Sequence, residues 1–192
     1  MKKLIVLVIL LVISASIFAQ GIEFGAKAGL NLATVTKSGG DKMRTGIHAG
    51  MFAEYTFSDY VGLQGELLYS MMGSKWGVVD AMAGSNGTII NKTDYIVLPV
   101  LVKLYVLERL SLDLGPQLGY MVSAKSKYPG AGSVSYYHNV DNKLDISFGM
   151  GLTCKVTSKF DLTGRYNLGL SKIREGFDYK NNVILFGIGY RF

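Results

Sequence analysis

Polar and apolar positions alternate with a period of two over most of the chain after residue 20, the spacing that puts every second side chain on one face of a β-strand. From Ile22 to Ala33, Ile22, Phe24, Ala26, Ala28, Leu30 and Leu32 share one face, and Glu23, Gly25, Lys27, Gly29 and Asn31 share the other. The pattern recurs over Leu110–Val122, where Leu112, Leu114, Pro116, Leu118 and Tyr120 oppose Ser111, Asp113, Gly115, Gln117 and Gly119. From Lys143 to Val156 an apolar row from Leu144 to Cys154 opposes Asp145, Ser147, Gly149, Gly151, Thr153 and Lys155. Phe160–Leu170 and Val183–Phe192 repeat it, the last with Ile184, Phe186, Ile188, Tyr190 and Phe192 together. Thr45–Phe57 and Val61–Met71 alternate less cleanly. Tyr95–Leu107 is apolar on nearly both faces, and its length and neighbours make it a strand. Eight strands are expected.

Their connections alternate in length. Ser58-Asp59-Tyr60, Glu108-Arg109 and Thr157-Ser158-Lys159 are tight turns. The stretches 34–44, 73–94, 123–142 and 171–182 are expected as long loops. Short turns at one end and long loops at the other are the asymmetry of a transmembrane barrel. Period alone does not say which face is inside, since a soluble barrel has its apolar face inward. Three features favour an apolar face on lipid. The polar face is rich in Gly (Gly25, Gly29, Gly115, Gly119, Gly149, Gly151, Gly187, Gly189), which weakens a solvated strand but fits a narrow lumen. That face carries both signs of charge, Glu54, Glu66, Asp113 and Asp145 against Lys27, Lys103, Lys155 and Arg165, as an interior that must pair its charges would. Aromatics gather at the strand ends in two girdles. Tyr55, Phe57, Tyr60, Phe160, Tyr190 and Phe192 lie at the turn end, and Tyr69, Trp76, Tyr95, Tyr120 and Phe177 at the loop end. The reading is an all-β, eight-stranded, antiparallel up-and-down transmembrane β-barrel over 20–192, in the outer membrane and closed because an open sheet edge cannot be satisfied in lipid.

The start of the chain supports export. Lys2 and Lys3 precede an apolar run from Leu4 to Ile13, and small residues lead to Ala19. That is the pattern of a secretory signal peptide over 1–19. The run falls short of the about 20 apolar residues a spanning helix needs. Composition then removes classes. The excess of 20 Lys and Arg over 14 Asp and Glu is not clustered, so no nucleic-acid partner is expected. Cys154 is the single cysteine, which excludes an internal disulfide and a cysteine metal cluster. No phosphate-loop, metal-ligand or dinucleotide spacing occurs, and no cofactor is expected.

Four segments carry a resemblance. Gly25-Ala-Lys-Ala-Gly-Leu-Asn31, Tyr95-Ile-Val-Leu-Pro-Val-Leu-Val-Lys-Leu-Tyr105, Gly115-Pro-Gln-Leu-Gly119 and Phe186-Gly-Ile-Gly-Tyr-Arg-Phe192 resemble the small outer-membrane β-barrels of Bacteroidetes often called PorT-like. The resemblance implies fold and location, and suggests service to protein secretion. Terminal Tyr190 and Phe192 resemble the signal by which the barrel-assembly machinery recognises its clients.

Lys27, Glu54, Glu66, Lys103, Asp113, Asp145 and Arg165 are the candidate interior polar network. Pro99 is expected at a bulge or local kink, because it removes a ladder donor. His48 alternates inward and His138 falls in the third loop, but no spacing points to the nucleophile, base and orienting partner that lipid-modifying catalysis would need. An eight-stranded barrel is filled by side chains, which disfavours a wide porin. The leading expectation is a non-enzymatic structural barrel, or one displaying loops 73–94 and 123–142 to a surface partner. A narrow channel and a lipid-modifying enzyme are the alternatives.

Overall fold

The computed structural model describes residues 21–35, 41–80, 85–127, 143–171 and 180–192. Eight strands appear in the order β1 (Ile22–Val35), β2 (Asp41–Ser58), β3 (Val61–Asp80), β4 (Ser85–Leu107), β5 (Leu110–Lys127), β6 (Leu144–Lys155), β7 (Phe160–Gly169) and β8 (Asn181–Arg191). Each pairs antiparallel with its sequence neighbour, and β1 pairs β8 to close the barrel. The closing seam runs in register from Gly25↔Arg191 to Val35↔Asn181. Closure leaves no open edge around the wall, the condition for a sheet in lipid.

The barrel is taller on one side than the alternation suggests. A tilted strand crosses a bilayer in about 9–11 residues. β6, β7 and β8 have 12, 10 and 11 residues. β3 and β4 have 20 and 23. The stretch 73–94, expected as a loop, is therefore mostly a continuation of the β3–β4 hairpin, paired up to Asp80↔Ser85. Likewise β1 reaches Val35, β2 starts at Asp41, β5 continues to Lys127 and β8 starts at Asn181. The reason is physical. Beyond the lipid-facing band no face of a strand has to be apolar, so alternation fades although pairing persists. Gly73, at φ +127 and close to the Asn91 carbonyl, takes the left-handed backbone that L side chains avoid. The parts of the expected loops at 36–40, 81–84, 128–142 and 172–179 lie outside the described residues, as do His138, Phe177 and the leader.

Of the bulge or local kink expected at Pro99, no bulge forms. The β3–β4 register is the same on both sides of it, from Gly65↔Val100 to Leu68↔Val97. Its missing N–H is absorbed as a short gap in pairing, with the ring buried in the lumen. Register shifts between β4 and β5 fall instead at Asp94/Tyr95 and Tyr105/Leu107.

The faces divide as expected from alternation. Leu30, Met51, Leu67, Leu98, Leu118, Ile146, Leu152, Leu162 and Ile188 are exposed on the outside. Lys27, Glu66, Lys103, Asp113 and Arg165 are buried inside. A soluble protein would reverse this, since burying unpaired charge is costly and exposing a continuous apolar band invites association. At the turn end Tyr55 meets Phe57 at a centroid distance of 4.9 Å, Phe160 meets Tyr190 at 5.1 Å, and Tyr190 meets Phe192 at 6.1 Å. At the loop end Tyr69 and Tyr120 face outward. Tyr95 does not belong to this girdle. It continues the inward row of Val97, Pro99, Leu101 and Lys103, and so lies in the lumen, where it is 2% exposed.

Candidate functional site

The lumen is the site, and its lower half is charged. Near the turns, the Arg191 guanidinium on β8 reaches Glu54 Oε2 at 2.9 Å and Asp161 Oδ2 at 3.3 Å, and also pairs with Glu23. Glu54 gathers three further groups: Lys103 Nζ at 3.2 Å, Lys155 Nζ at 3.7 Å, and the Tyr105 hydroxyl, which donates to it. Lys103 Nζ donates to Gln64 Oε1 at 2.9 Å and stands 4.0 Å from Asp113. Gln64 Nε2 in turn donates to Glu66. Glu66 accepts two bonds from Arg165, Nη1 to Oε2 at 2.9 Å and Nη2 to Oε1 at 2.7 Å. Lys27 Nζ completes its shell at 2.7 Å. Asp113 is held by Thr153 Oγ1 at 2.6 Å and Ser111 Oγ at 2.7 Å.

These groups meet because alternate residues of every strand point inward. Gly supplies the space. A Cβ on Gly25 would run into the Phe52 ring, and one on Gly189 into the Asp161 carboxylate. Phe52 itself lies in the lumen, beneath Lys27 at 5.7 Å and Arg191 at 5.5 Å from its ring centroid. The charged atoms are almost completely enclosed: side-chain exposure is 1% for Lys27, 0% for Glu66 and 0% for Arg165. In such a setting one partner lost leaves an uncompensated buried charge. Bidentate guanidinium–carboxylate geometry also fixes orientation as well as charge.

Above this network the lumen turns apolar. Ala33, Leu68, Met72, Tyr95, Val97, Met121 and Val183 form one buried cluster. Between the two zones His48 Nδ1 lies 2.9 Å from Asn31 Oδ1, and Asn31 Nδ2 donates to Ser70 Oγ at 2.8 Å. Near the loop end Asn181 Nδ2 donates to the Tyr95 hydroxyl at 3.2 Å, and Ser171 Oγ to Asp145 at 3.1 Å.

Six of the seven residues singled out in the sequence thus form one connected set: Lys27, Glu66 and Arg165 joined through Gln64 to Lys103, Glu54 and Asp113. Asp145 stands apart, near the loop end, bonded by Ser171 and Asn181. The sequence reading missed Arg191, Asp161 and Gln64. Arg191 carries a usable signal, because it continues the inward row of Gly187 and Gly189. Tyr190 and Phe192 lie on the outward face of the seam's end, and the Phe192 N–H donates to the Phe24 carbonyl at 3.1 Å.

The histidine question resolves simply for His48. It is buried beside Asn31, and its Nε2 has no hydrogen-bond partner among the described residues. No group of three or more His, Cys, Asp or Glu placed to hold a metal occurs among the described residues.

A closed barrel with lipid-compatible residues outside and a charged, packed interior defines a transmembrane β-barrel protein. The family described as outer membrane protein beta-barrel domain matches residues 18–175, and the chain belongs to it. The protein resides in the outer membrane. Among solved structures, Ail, the attachment invasion locus protein of Yersinia pestis, is similar at 22% identity and TM-score 0.52, covering 90% of this chain and 100% of its own. Neisserial surface protein A is similar at 18% identity and TM-score 0.58, over 90% of this chain and 100% of its own. Ail in complex with the heparin analogue sucrose octasulfate is similar at 21% identity and TM-score 0.50, again over 90% and 100%. At these identities the likeness is one of fold. No curated protein matches the chain.

Proposed function

We propose that the protein is a plugged, non-catalytic barrel that serves as a structural and interaction element of the outer membrane and is not a wide pore. The observation that carries this is the Arg165–Glu66–Lys27 cluster, whose side chains leave no more than 1% exposure in the lumen. An open aqueous channel would wet these groups. What such a barrel offers to other molecules is its outer rim: the extended β3–β4 hairpin, and the stretch 123–142. Ail, a protein of the same fold, takes up a sulfated sugar analogue, which fits a rim-binding role for this architecture. The PorT-like resemblance gives that role a specific form, service to protein secretion in a member of the Bacteroidetes. Residues 1–19 would be removed as a signal peptide, and Tyr190 and Phe192 would present the barrel to the assembly machinery.

Planar-bilayer conductance tests the reading. The refolded mature protein is expected to be silent. Stepwise single-channel currents, reduced when larger side chains are introduced into the lumen, would establish the narrow-channel alternative instead. Deleting the gene and comparing the secreted proteins tests the secretion role, and an unchanged profile removes it.

A further inference from the structure

The seam that closes the barrel has little support of its own near the turn end. Every other pairing joins strands that follow one another in sequence, whereas β1 and β8 come from opposite ends of the chain. No short turn holds them together, so chain entropy favours their separation. The lumen face of the seam adds little. Its inward register pairs are Gly25↔Arg191, Lys27↔Gly189 and Gly29↔Gly187, and each contains a glycine. Side chains opposite each other across two strands stabilise a pairing beyond its backbone bonds, and glycine offers none.

The missing support comes from β2, which does not pair with β8 but reaches it over β1. The glycines of β1 leave room for this. The His48 ring crosses β1 at Gly29: a methyl group there would stand 2.7 Å from His48 Cε1, and one on Gly187 of β8 would stand 3.0 Å from Nε2. The other ring nitrogen is anchored to β1. Asn31 Nδ2 donates to the Met71 carbonyl at 3.2 Å, so Asn31 Oδ1 faces His48 Nδ1 at 2.9 Å as an acceptor, and Nδ1 carries the hydrogen. Nearer the turns the Phe52 ring crosses β1 at Gly25, where a methyl group would run into it, and meets the Arg191 guanidinium of β8 at 5.5 Å from its centroid. Arg191 Nη2 spans the same gap from the other side to reach Glu54 of β2 at 2.9 Å. Its further pairs, with Glu23 on β1 and Asp161 on β7, tie together the four strands around the seam.

We infer that these crossings form a latch: His48, Phe52 and Glu54 of β2 hold β8 in place over β1, and the seam is the line along which the barrel opens when they are removed. An open sheet cannot make these contacts, because β2 meets β8 only after closure. They lock the finished barrel without helping it to close, so their loss is felt in the opening step. This inference concerns the wall below the apolar cluster and holds whatever the rim binds.

Hydrogen exchange of the refolded mature chain in phospholipid vesicles, followed by mass spectrometry of its peptides, tests the latch. Boiled and unboiled gel mobility confirms that each variant is folded. His48→Ala and Arg191→Gln should speed exchange of the β1 and β8 amides by about tenfold and leave those of β3, β4 and β5 unchanged. Phe52→Leu, which shortens the reach and removes no charge, should act in the same direction. Gln117→Ala, which removes a buried bond to Ser147 away from the seam, should leave β1 and β8 as they are. A disulfide between outward register partners of the seam, Ala28→Cys with Ile188→Cys in a Cys154→Ser background, should restore slow exchange to His48→Ala. A disulfide between β5 and β6, Leu118→Cys with Ile146→Cys in the same background, should not. An equal rise over all the strands overturns the inference. So does seam exchange that stays at the wild-type rate in all three latch variants, or rescue by both disulfides alike.

Discussion

Replacing Glu66 with Ala is the sharpest probe of whether the lumen is dry. Glu66 is the shared counter-ion of Lys27 and Arg165, at 2.7–2.9 Å from both. At an effective dielectric of about 20, opposite charges about 4 Å apart attract by about 4 kcal/mol, and two such attractions disappear together. Part of that is offset, because the carboxylate no longer has to be desolvated. What remains is two cations facing each other in an enclosed space. Removing one partner of a buried pair costs about 3–5 kcal/mol, and this site falls within that range.

Equilibrium urea unfolding in phospholipid vesicles measures it, followed by the fluorescence of Trp76, the chain's single tryptophan, and by gel mobility. A compensated variant supplies the control. Lys27→Met with Glu66→Leu and Arg165→Met removes the charges as a set, and should recover at least half of the loss, since well-packed apolar replacements of buried ion clusters are often neutral. A loss below about 1 kcal/mol for Glu66→Ala, the range of solvent-exposed pairs, would refute the reasoning. It would mean that water reaches these charges, and the narrow-channel reading would take over.

Three further outcomes check the wall, the packing and the seam. Leu152, 51% exposed on the outer face of β6, should tolerate Arg poorly, at about 2–4 kcal/mol in vesicle unfolding, while its inward neighbour Thr153→Ser should cost less than about 1 kcal/mol because the hydroxyl to Asp113 is kept. Gly25→Ala should lower unfolding free energy by about 1–3 kcal/mol, since its new methyl group meets the Phe52 ring and the Tyr190 carbonyl; an unchanged midpoint would show that the lumen has slack. Removing Phe192 should slow appearance of the heat-modifiable form in the outer membrane, and normal levels of that form would argue against an assembly signal at the end of β8.

The fold was legible in the sequence wherever one face of a strand touches lipid and the other touches the lumen. That boundary enforces alternation, so β6 and β8 could be read almost residue by residue. Legibility failed where the boundary does. Beyond the lipid-facing band the outer face of the β3–β4 hairpin no longer has to be apolar, and Gly73-Ser74-Lys75 with Asn91-Lys92-Thr93-Asp94 reads as a loop. β2 alternates poorly in the sequence because the large apolar Phe52 turns inward while Thr45 and Ala49 face outward. Tyr95 was placed in the girdle from its position at the strand end, although alternation back from Lys103 gives it the inward face. The candidate network was legible as a list of inward charges, yet its connections were not. Period two fixes a face, whereas the link from Lys103 through Gln64 to Glu66 depends on strand stagger, which no local pattern encodes.

The doubly apolar run Tyr95–Leu107 is explained by the same stagger. Its outer residues meet lipid, while Tyr95 and Val97 join the apolar cluster that fills the upper lumen and Lys103 drops into the charged zone below. The lumen is therefore filled by two kinds of packing. The lower barrier is electrostatic: an ion entering from the turn end meets carboxylates already neutralised by Lys and Arg. Higher up, the apolar cluster fills the lumen from β1, β3, β4, β5 and β8, with Asp145, Ser147 and Asn167 buried on the side of β6 and β7. Loosening one layer by a single substitution leaves the other in place. A passage for solutes would need both to open at once, which is why the filled interior supports a structural role more strongly than either layer would alone.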